Sequence, residues 1–172
     1  MTQSMMILRH LLSILLLPVV VTIVVPRWLQ HAELPLADSV HASASVALAT
    51  QILGALFLVG GAALFLWCVV LFANVGKGTL APWDPTRRLV AVGPYRFVRN
   101  PMISGVAGVL AGEALLLRSP RLAAWLALFI VINEVYFRLV EEPGLERRFG
   151  EEYRRYRALV PRWIPGSRNG VG

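Results

Sequence analysis

The fold is decided by the run MISGVAGVLAGEALLL (Met102–Leu117), the four residues RSPR (Arg118–Arg121) and the run LAAWLALFIVINEVYFRLV (Leu122–Val140). The first run holds one charged residue, Glu113, and the second holds two, Glu134 and Arg138. Only Arg118-Ser-Pro-Arg121 separates them, with Pro120 at the turn. Two apolar helices joined by so short a connection form an antiparallel hairpin. Apolar runs of this kind read as membrane spans.

Upstream, Val46–Ala73 carries no charge and is long enough to cross a bilayer with some tilt. Its Gly54, Gly60 and Gly61 offer small surfaces for close helix contact. Earlier still, Met5–Val25 is apolar apart from Arg9 and His10. Leu11–Val25 alone is short for a span, and Met5–Leu8 extends it if Arg9 snorkels. A secretory signal peptide is the rival reading. Val25 is followed by Pro26-Arg27-Trp28, however, and Ala42-x-Ala44 lies too far downstream to serve as its cleavage site. The expected fold is an all-α integral membrane protein with about four transmembrane helices, the last two a tight hairpin, plus a C-terminal amphipathic helix.

Composition agrees. Of 172 residues, 56% are hydrophobic and 16% charged, and mean hydropathy is +0.62. Soluble domains are typically about 25% charged. The formal net charge of +7 would suggest nucleic acid in a soluble protein, but here its distribution explains it. Four spans place the N-terminus, the loop after the second span and the tail on one side with 14 Lys and Arg, against 3 on the other. By the positive-inside rule both termini and that loop are cytoplasmic. No nucleic-acid partner is needed.

Most catalytic constellations are absent. Cys68 is the single cysteine and lies in an apolar run, so it reads as core packing. His10, His31 and His41 lie in the N-terminal span or the first loop, away from the acids of the last two spans, so no metal site is expected. No serine lies in a nucleophile elbow, and neither a P-loop nor a G-x-G-x-x-G occurs.

The chemistry-bearing residues gather in two places. The first is the loop Gly76–Pro101, dense in Gly and Pro and longer than an idle connector needs. It ends in Asn100-Pro101, a favoured cap and first residue of a helix. A helix start also offers unpaired N–H groups to an anion, and Arg96 and Arg99 add positive charge or anchor at the interface. The second is the end of the last span, where Glu134, Arg138 and Glu142 recur at helical spacing as a polar stripe or a mutual ion-pair ladder. Glu113 has no local partner; it can pair with Arg118 or Arg121 or face the interior. Pro143-Gly144 is expected to break the helix. Beyond it, Leu145, Phe149, Tyr153, Tyr156 and Val160 form the apolar face of an interfacial helix, with Trp163 as an interface anchor.

Arg87-Arg-Leu-Val-Ala-Val-Gly93-Pro-Tyr95-Arg-Phe-Val-Arg99-Asn-Pro101, the hairpin, Glu141-Glu142 and Phe149-Gly150-Glu-Glu-Tyr153-x-x-Tyr156 together resemble the isoprenylcysteine carboxyl methyltransferase family and the related phospholipid N-methyltransferases. The resemblance covers about Gly76–Trp163. It implies S-adenosylmethionine as methyl donor on the cytoplasmic side. By position, Arg87, Arg88, Leu89, Val90, Tyr95, Asn100, Pro101, Met102 and Ile103 would line the cofactor pocket, with Glu141 contacting the cofactor. It divides the single membrane domain, 1–172, into a two-span part, 1–75, and a cofactor-binding part, 76–165. Three positions depart from the family pattern. Asn100 and Ile103 stand where it has His and Tyr, and Phe137 stands where the eukaryotic enzymes have a substrate-binding Arg. These departures weigh against a prenylcysteine carboxylate as acceptor more than against cofactor binding.

Methyl transfer from a sulfonium is an in-line displacement that needs positioning and water exclusion, not a metal. Acidic and aromatic neighbours such as Glu141, Tyr95 and Trp83 suit a sulfonium. A lipid-like or small apolar acceptor would enter from the bilayer. Arg138 would orient a carboxylate acceptor, and Glu142 would take the proton of an amine acceptor. The alternative is a non-catalytic scaffold or transporter subunit with the same fold, and a third reading is a nicotinamide-dependent membrane reductase.

Overall fold

The computed structural model describes residues 15–31, 44–76 and 87–164, and these are helical with no strand. The start of the first apolar run and the loop residues Lys77 and Trp83 lie outside them. A π-helical stretch, Leu15–Val24, contains Pro18 and leads into helix α1, Val25–His31. The wider turn tolerates a residue that lacks an N–H. Helix α2, Ala44–Leu71, continues as a π-helical turn, Phe72–Gly76. Helix α3 spans Pro101–Leu116 and helix α4 Pro120–Tyr136. A π-helical turn, Phe137–Glu141, then carries the chain into helix α5, Glu142–Leu159.

Two of these helical rods are long and apolar enough to cross a membrane, Ala44–Gly76 and Pro120–Leu159. Only 6% of the most apolar window of each is buried inside the structure, so their apolar side chains point outward, as a lipid environment requires. Helix α3 is a shorter apolar helix. It packs between α2 and α4.

The α2–α3 contact is made by paired glycines. A Cβ on Gly61 would sit 2.6 Å from the carbonyl oxygen of Gly105, and one on Gly112 would sit 2.7 Å from that of Gly54. The two backbones therefore touch at points seven residues apart on each helix. Such approach is open only to residues without a side chain. On another side of α3, Val106, Leu110 and Phe129 form a core that includes Val21 and Trp125. The Trp125 indole donates to the Val21 carbonyl at 3.1 Å, so the first helical segment packs on the hairpin.

The hairpin turn is as expected. Arg118 adopts φ 49°, and the buried Ser119 caps α4 by accepting from the Leu122 N–H at 3.3 Å. The break expected at Pro143-Gly144 does not occur. The π-helical turn before it places Pro143 in the first turn of α5, where a missing N–H leaves no bond unmade. The chain instead turns at Gly150, with φ 52° and ψ −123°. The amphipathic reading of this segment holds: Leu145, Phe149, Tyr153, Tyr156 and Val160 face inward, while Arg147, Arg148, Glu151, Glu152, Arg154 and Arg155 are exposed.

Candidate functional site

The end of the long loop is pinned to α2. The N–H groups of Arg87 and Arg88 both donate to the Gly76 carbonyl, at 2.8 and 3.4 Å, and both side chains are exposed. Leu89 is half-buried and Val90 is buried. A 3-10 turn, Gly93–Arg96, follows. Gly93 has φ +58°, and a Cβ there would lie 2.9 Å from Leu71; conformation and space both demand glycine. The turn drives Tyr95 into a core with Cys68 and Val90, flanked by Phe72 and Met102. The Tyr95 and Phe72 rings meet at 5.7 Å. Burial, with the Cys68 thiol beside it, holds the Tyr95 phenol well above its ordinary titration range.

Asn100 occupies the residue before α3, as expected, but its side chain does not cap the helix. It is 3% exposed, and its amide nitrogen is buried without a hydrogen-bond partner. An unpartnered buried donor is uncommon and asks for an explanation. Below it the Ser104 hydroxyl donates to the Asn100 carbonyl at 3.0 Å.

Opposite this loop stand two neighbouring acids in different surroundings. Glu142 is 4% exposed. Its Oε1 accepts from Arg99 at 2.7 Å and from Arg162 at 3.0 Å, and Arg157 lies 4.0 Å from its Oε2. Arg99 is therefore not an interface anchor. Glu141 is half-buried and makes no hydrogen bond or ion pair among the described residues. It lies within electrostatic range of Tyr95 and of Arg148. Tyr153 sits against Arg99 and Glu142; the Tyr153 hydroxyl and Arg99 Nε are buried and unpartnered.

The tail closes over this arrangement. Tyr156 donates its hydroxyl to the Tyr95 carbonyl at 2.7 Å, and the Arg99 N–H donates to the Pro161 carbonyl at 2.8 Å. Arg162 reaches on to Glu134 at 2.5 Å, and the Trp163 indole donates to the same carboxylate at 2.7 Å. The expected ladder of Glu134, Arg138 and Glu142 is thus only partly mutual. Arg138 pairs with Glu134, while Glu142 turns to Arg99 and Arg162.

Of the residues expected in the cofactor pocket, Val90, Tyr95 and Met102 pack around Cys68, and the buried Asn100 and Pro101 stand at the start of α3. Ile103 packs instead into the Val106–Leu110–Phe129 core. Arg138 stands apart, its side chain 64% exposed. Glu113 pairs with neither Arg118 nor Arg121; one carboxylate oxygen is buried and unpartnered. The sequence placed Tyr153 and Tyr156 on the apolar face of a helix and in the family motif, but gave neither them nor Arg162 a part in the site. Their contacts reach back 20–61 residues along the chain, and no local pattern signals that. No group of His, Cys, Asp and Glu that could hold a metal occurs among the described residues.

A second feature lies between α2 and α4, which make no extensive contact with each other among the described residues. It is a groove of about 580 Å³. Its floor is the face of α3 carrying Ser104, Ala107, Gly108 and Ala111, where small side chains leave the space open. Leu56, Phe57 and Leu64 form one wall, Leu126 and Ile130 the other, and Trp163 closes the end nearest the charged network.

Compared with known families, residues 49–152 match the family model described as phospholipid methyltransferase. No curated protein and no solved structure matches the chain.

Proposed function

The chain belongs to the phospholipid methyltransferase family, one of the membrane methyltransferases like isoprenylcysteine carboxyl methyltransferase; from that premise we propose that it transfers a methyl group from S-adenosylmethionine to a lipid-like or small apolar acceptor. The observation that carries this reading is the half-buried Glu141 carboxylate, without a hydrogen bond or ion pair among the described residues and within electrostatic range of the buried Tyr95. The unpartnered Asn100 amide at the start of α3 adds a donor to the same place.

The donor set fits the cofactor. A sulfonium and an ammonium suit Glu141 and an aromatic neighbour. A carboxylate suits the N–H groups at the start of α3. A ring nitrogen or hydroxyl suits the Asn100 amide. When bound, S-adenosylmethionine supplies an electrophilic methyl group. The chain's own part is to hold and orient. Gly93 sets Tyr95, Tyr156 locks that turn, and the tail folded over Arg99 excludes water. Arg138 orients an anionic group of the acceptor. Glu142, expected as the proton acceptor of an amine, is gripped by Arg99 and Arg162, and we assign it to holding Arg99 in place. The topology we propose has four spans, with both termini and this site cytoplasmic, on the charge asymmetry of the loops.

The test is calorimetric titration of the detergent-purified full chain with S-adenosylmethionine and its demethylated product. Wild type is expected to bind at micromolar levels, with affinity reduced about ten-fold or more in Glu141→Gln and in Asn100→Ala. Absence of binding to folded wild type in the presence of lipid overturns the reading.

A further inference from the structure

We propose that residues 151–164 are a movable cover, hinged at Gly150 and latched by Arg162, that swings aside to admit the methyl donor and closes over it. The proposal rests on the methyltransferase reading for what enters; the motion itself stands on the fold.

The need for a moving part comes from burial. Tyr95 is 6% exposed and Asn100 3%, so a ligand the size of a nucleoside cannot reach either while every element keeps its place. The loop side is fixed. Gly93 is wedged against Leu71, and the N–H groups of Arg87 and Arg88 are tied to the Gly76 carbonyl. The tail is different. Apart from the π-helical turn it grows from, α5 makes no extensive contact with another helix among the described residues. Beyond Gly150 only Tyr153 and Val160 are buried among them. What holds the segment is a short set of polar contacts: Tyr156 to the Tyr95 carbonyl, the Arg99 N–H to the Pro161 carbonyl, Arg162 to Glu142 and Glu134, and Trp163 to Glu134. Each of these can be exchanged for a bond to water, so releasing them loses less than exposing a packed apolar face.

Gly150 supplies the pivot. Its φ of 52° and ψ of −123° bend the chain inside α5, and a Cβ there would meet nothing within 4 Å, so no neighbour obstructs rotation. Hinges are a few residues of this kind that absorb the dihedral change. Arg162 is the latch because it crosses from the far side of the hinge to two acids on the near side. Its Nε lies 3.0 Å from Glu142 and its Nη1 2.5 Å from Glu134, and its side chain is 17% exposed. The closed arrangement also leaves bonds unmade. The Tyr153 hydroxyl and Arg99 Nε are buried without partners. Lifting the cover lets both meet water, which offsets part of the broken latch.

The experiment ties the cover down. In the detergent-purified full chain, Arg138→Cys and Trp163→Cys replace two side chains that sit on the same Glu134 carboxylate from opposite sides of the hinge. A bis-methanethiosulfonate linker joins the new thiols, and dithiothreitol releases them; Cys68, 0% exposed, is out of the linker's reach. Association of S-adenosylmethionine, followed by surface plasmon resonance, is expected to be about ten-fold slower or more in the tied protein and to recover on reduction. Equal rates in the tied and reduced forms overturn the proposal. Hydrogen exchange of wild type and Arg162→Gln gives a readout that needs no cofactor. The Arg99 amide and residues 151–162 are expected to exchange together, ahead of α3 amides around Leu110. Both should speed up about ten-fold in Arg162→Gln while Leu110 is unchanged. If the Arg99 amide exchanges no faster than Leu110, or Arg162→Gln accelerates both equally, the tail opens only with the whole fold and the proposal falls. If neither wild type nor the reduced variant binds S-adenosylmethionine, the methyltransferase reading fails, and hydrogen exchange by itself decides whether the cover moves.

Discussion

Replacing Gly150 by alanine tests the architecture at its least ordinary backbone position. Gly150 has φ 52° and ψ −123° in the middle of α5, a conformation an L side chain resists whatever the space around it. A Cβ there would meet nothing within 4 Å, so the effect is purely one of backbone. Residues forced into such sparsely populated regions are destabilised by about 1–3 kcal/mol. The variant can escape that strain by straightening the helix, but then the Tyr156 hydrogen bond, the Arg162 ion pairs and the Trp163 hydrogen bond are lost, at about 1 kcal/mol for each neutral hydrogen bond. Either route destabilises. Taking about 2 kcal/mol as the centre, Tm falls by roughly 4–8 °C for a protein of this size. Gly144→Ala is the matched control. A Cβ there also meets nothing within 4 Å, and its φ is not positive, so helix propensity alone should stabilise it by up to about 1 kcal/mol. The assay is thermal unfolding of both variants in one detergent, followed by far-ultraviolet circular dichroism. If Gly150→Ala is as stable as wild type or more so, the helix runs straight through residue 150 and the folding back of the tail is wrong.

Four further outcomes follow from the contacts described. Glu142→Gln leaves the largely buried Arg99 and Arg162 without full compensation and should lower stability by about 3–5 kcal/mol, whereas Glu151→Gln removes only exposed pairs and should change it by less than about 0.5 kcal/mol in denaturant titration. Gly61→Ala, which would put a Cβ 2.6 Å from backbone atoms of α3, should destabilise by about 1–3 kcal/mol, while Gly60→Ala, with nothing within 4 Å, should be neutral or stabilising in the same measurement. Tyr156→Phe should cost about 1 kcal/mol of stability through its lost bond to the Tyr95 carbonyl, and cofactor affinity by calorimetry should weaken with it. Because the Tyr95 phenol titrates well above its ordinary range when folded, its contribution is intact below about pH 10 and is lost above that, as the unfolded chain ionises and the folded one does not; Tyr95→Phe should therefore show a shallower loss of stability between about pH 10 and 12 than wild type.

Much of this was legible along the chain. The hairpin at Arg118–Arg121 announced itself through two apolar runs and one proline. The amphipathic segment did so through five apolar residues at helical spacing, which all face inward. Local rules misread two positions for the same reason. Pro143 breaks a helix only if its N–H is needed, and the π-helical turn before it removes that need. Asn100 caps a helix only if its side chain turns back on its own backbone, and here it does not. The closure of the tail was not legible, because Tyr156, Arg162 and Trp163 act through partners 20–61 residues away. The groove was half legible. Ser104, Ala107, Gly108 and Ala111 are visible as a small-residue face, but small faces usually pack against something. That this one stays open depends on α2 and α4 standing apart across α3.

The paired glycines of α2 and α3 have a mechanical meaning. Backbones that touch at Gly54–Gly112 and again at Gly61–Gly105 cannot slip past one another by a turn, since the shift would drive a side chain into a space sized for a hydrogen atom. Nor can they rock apart at one contact without straining the other. The two helices therefore move as one plate. That plate carries the floor and one wall of the groove, while the remaining wall belongs to α4, which has no such interlock. Any widening of the groove is thus a swing of α4 against a fixed surface.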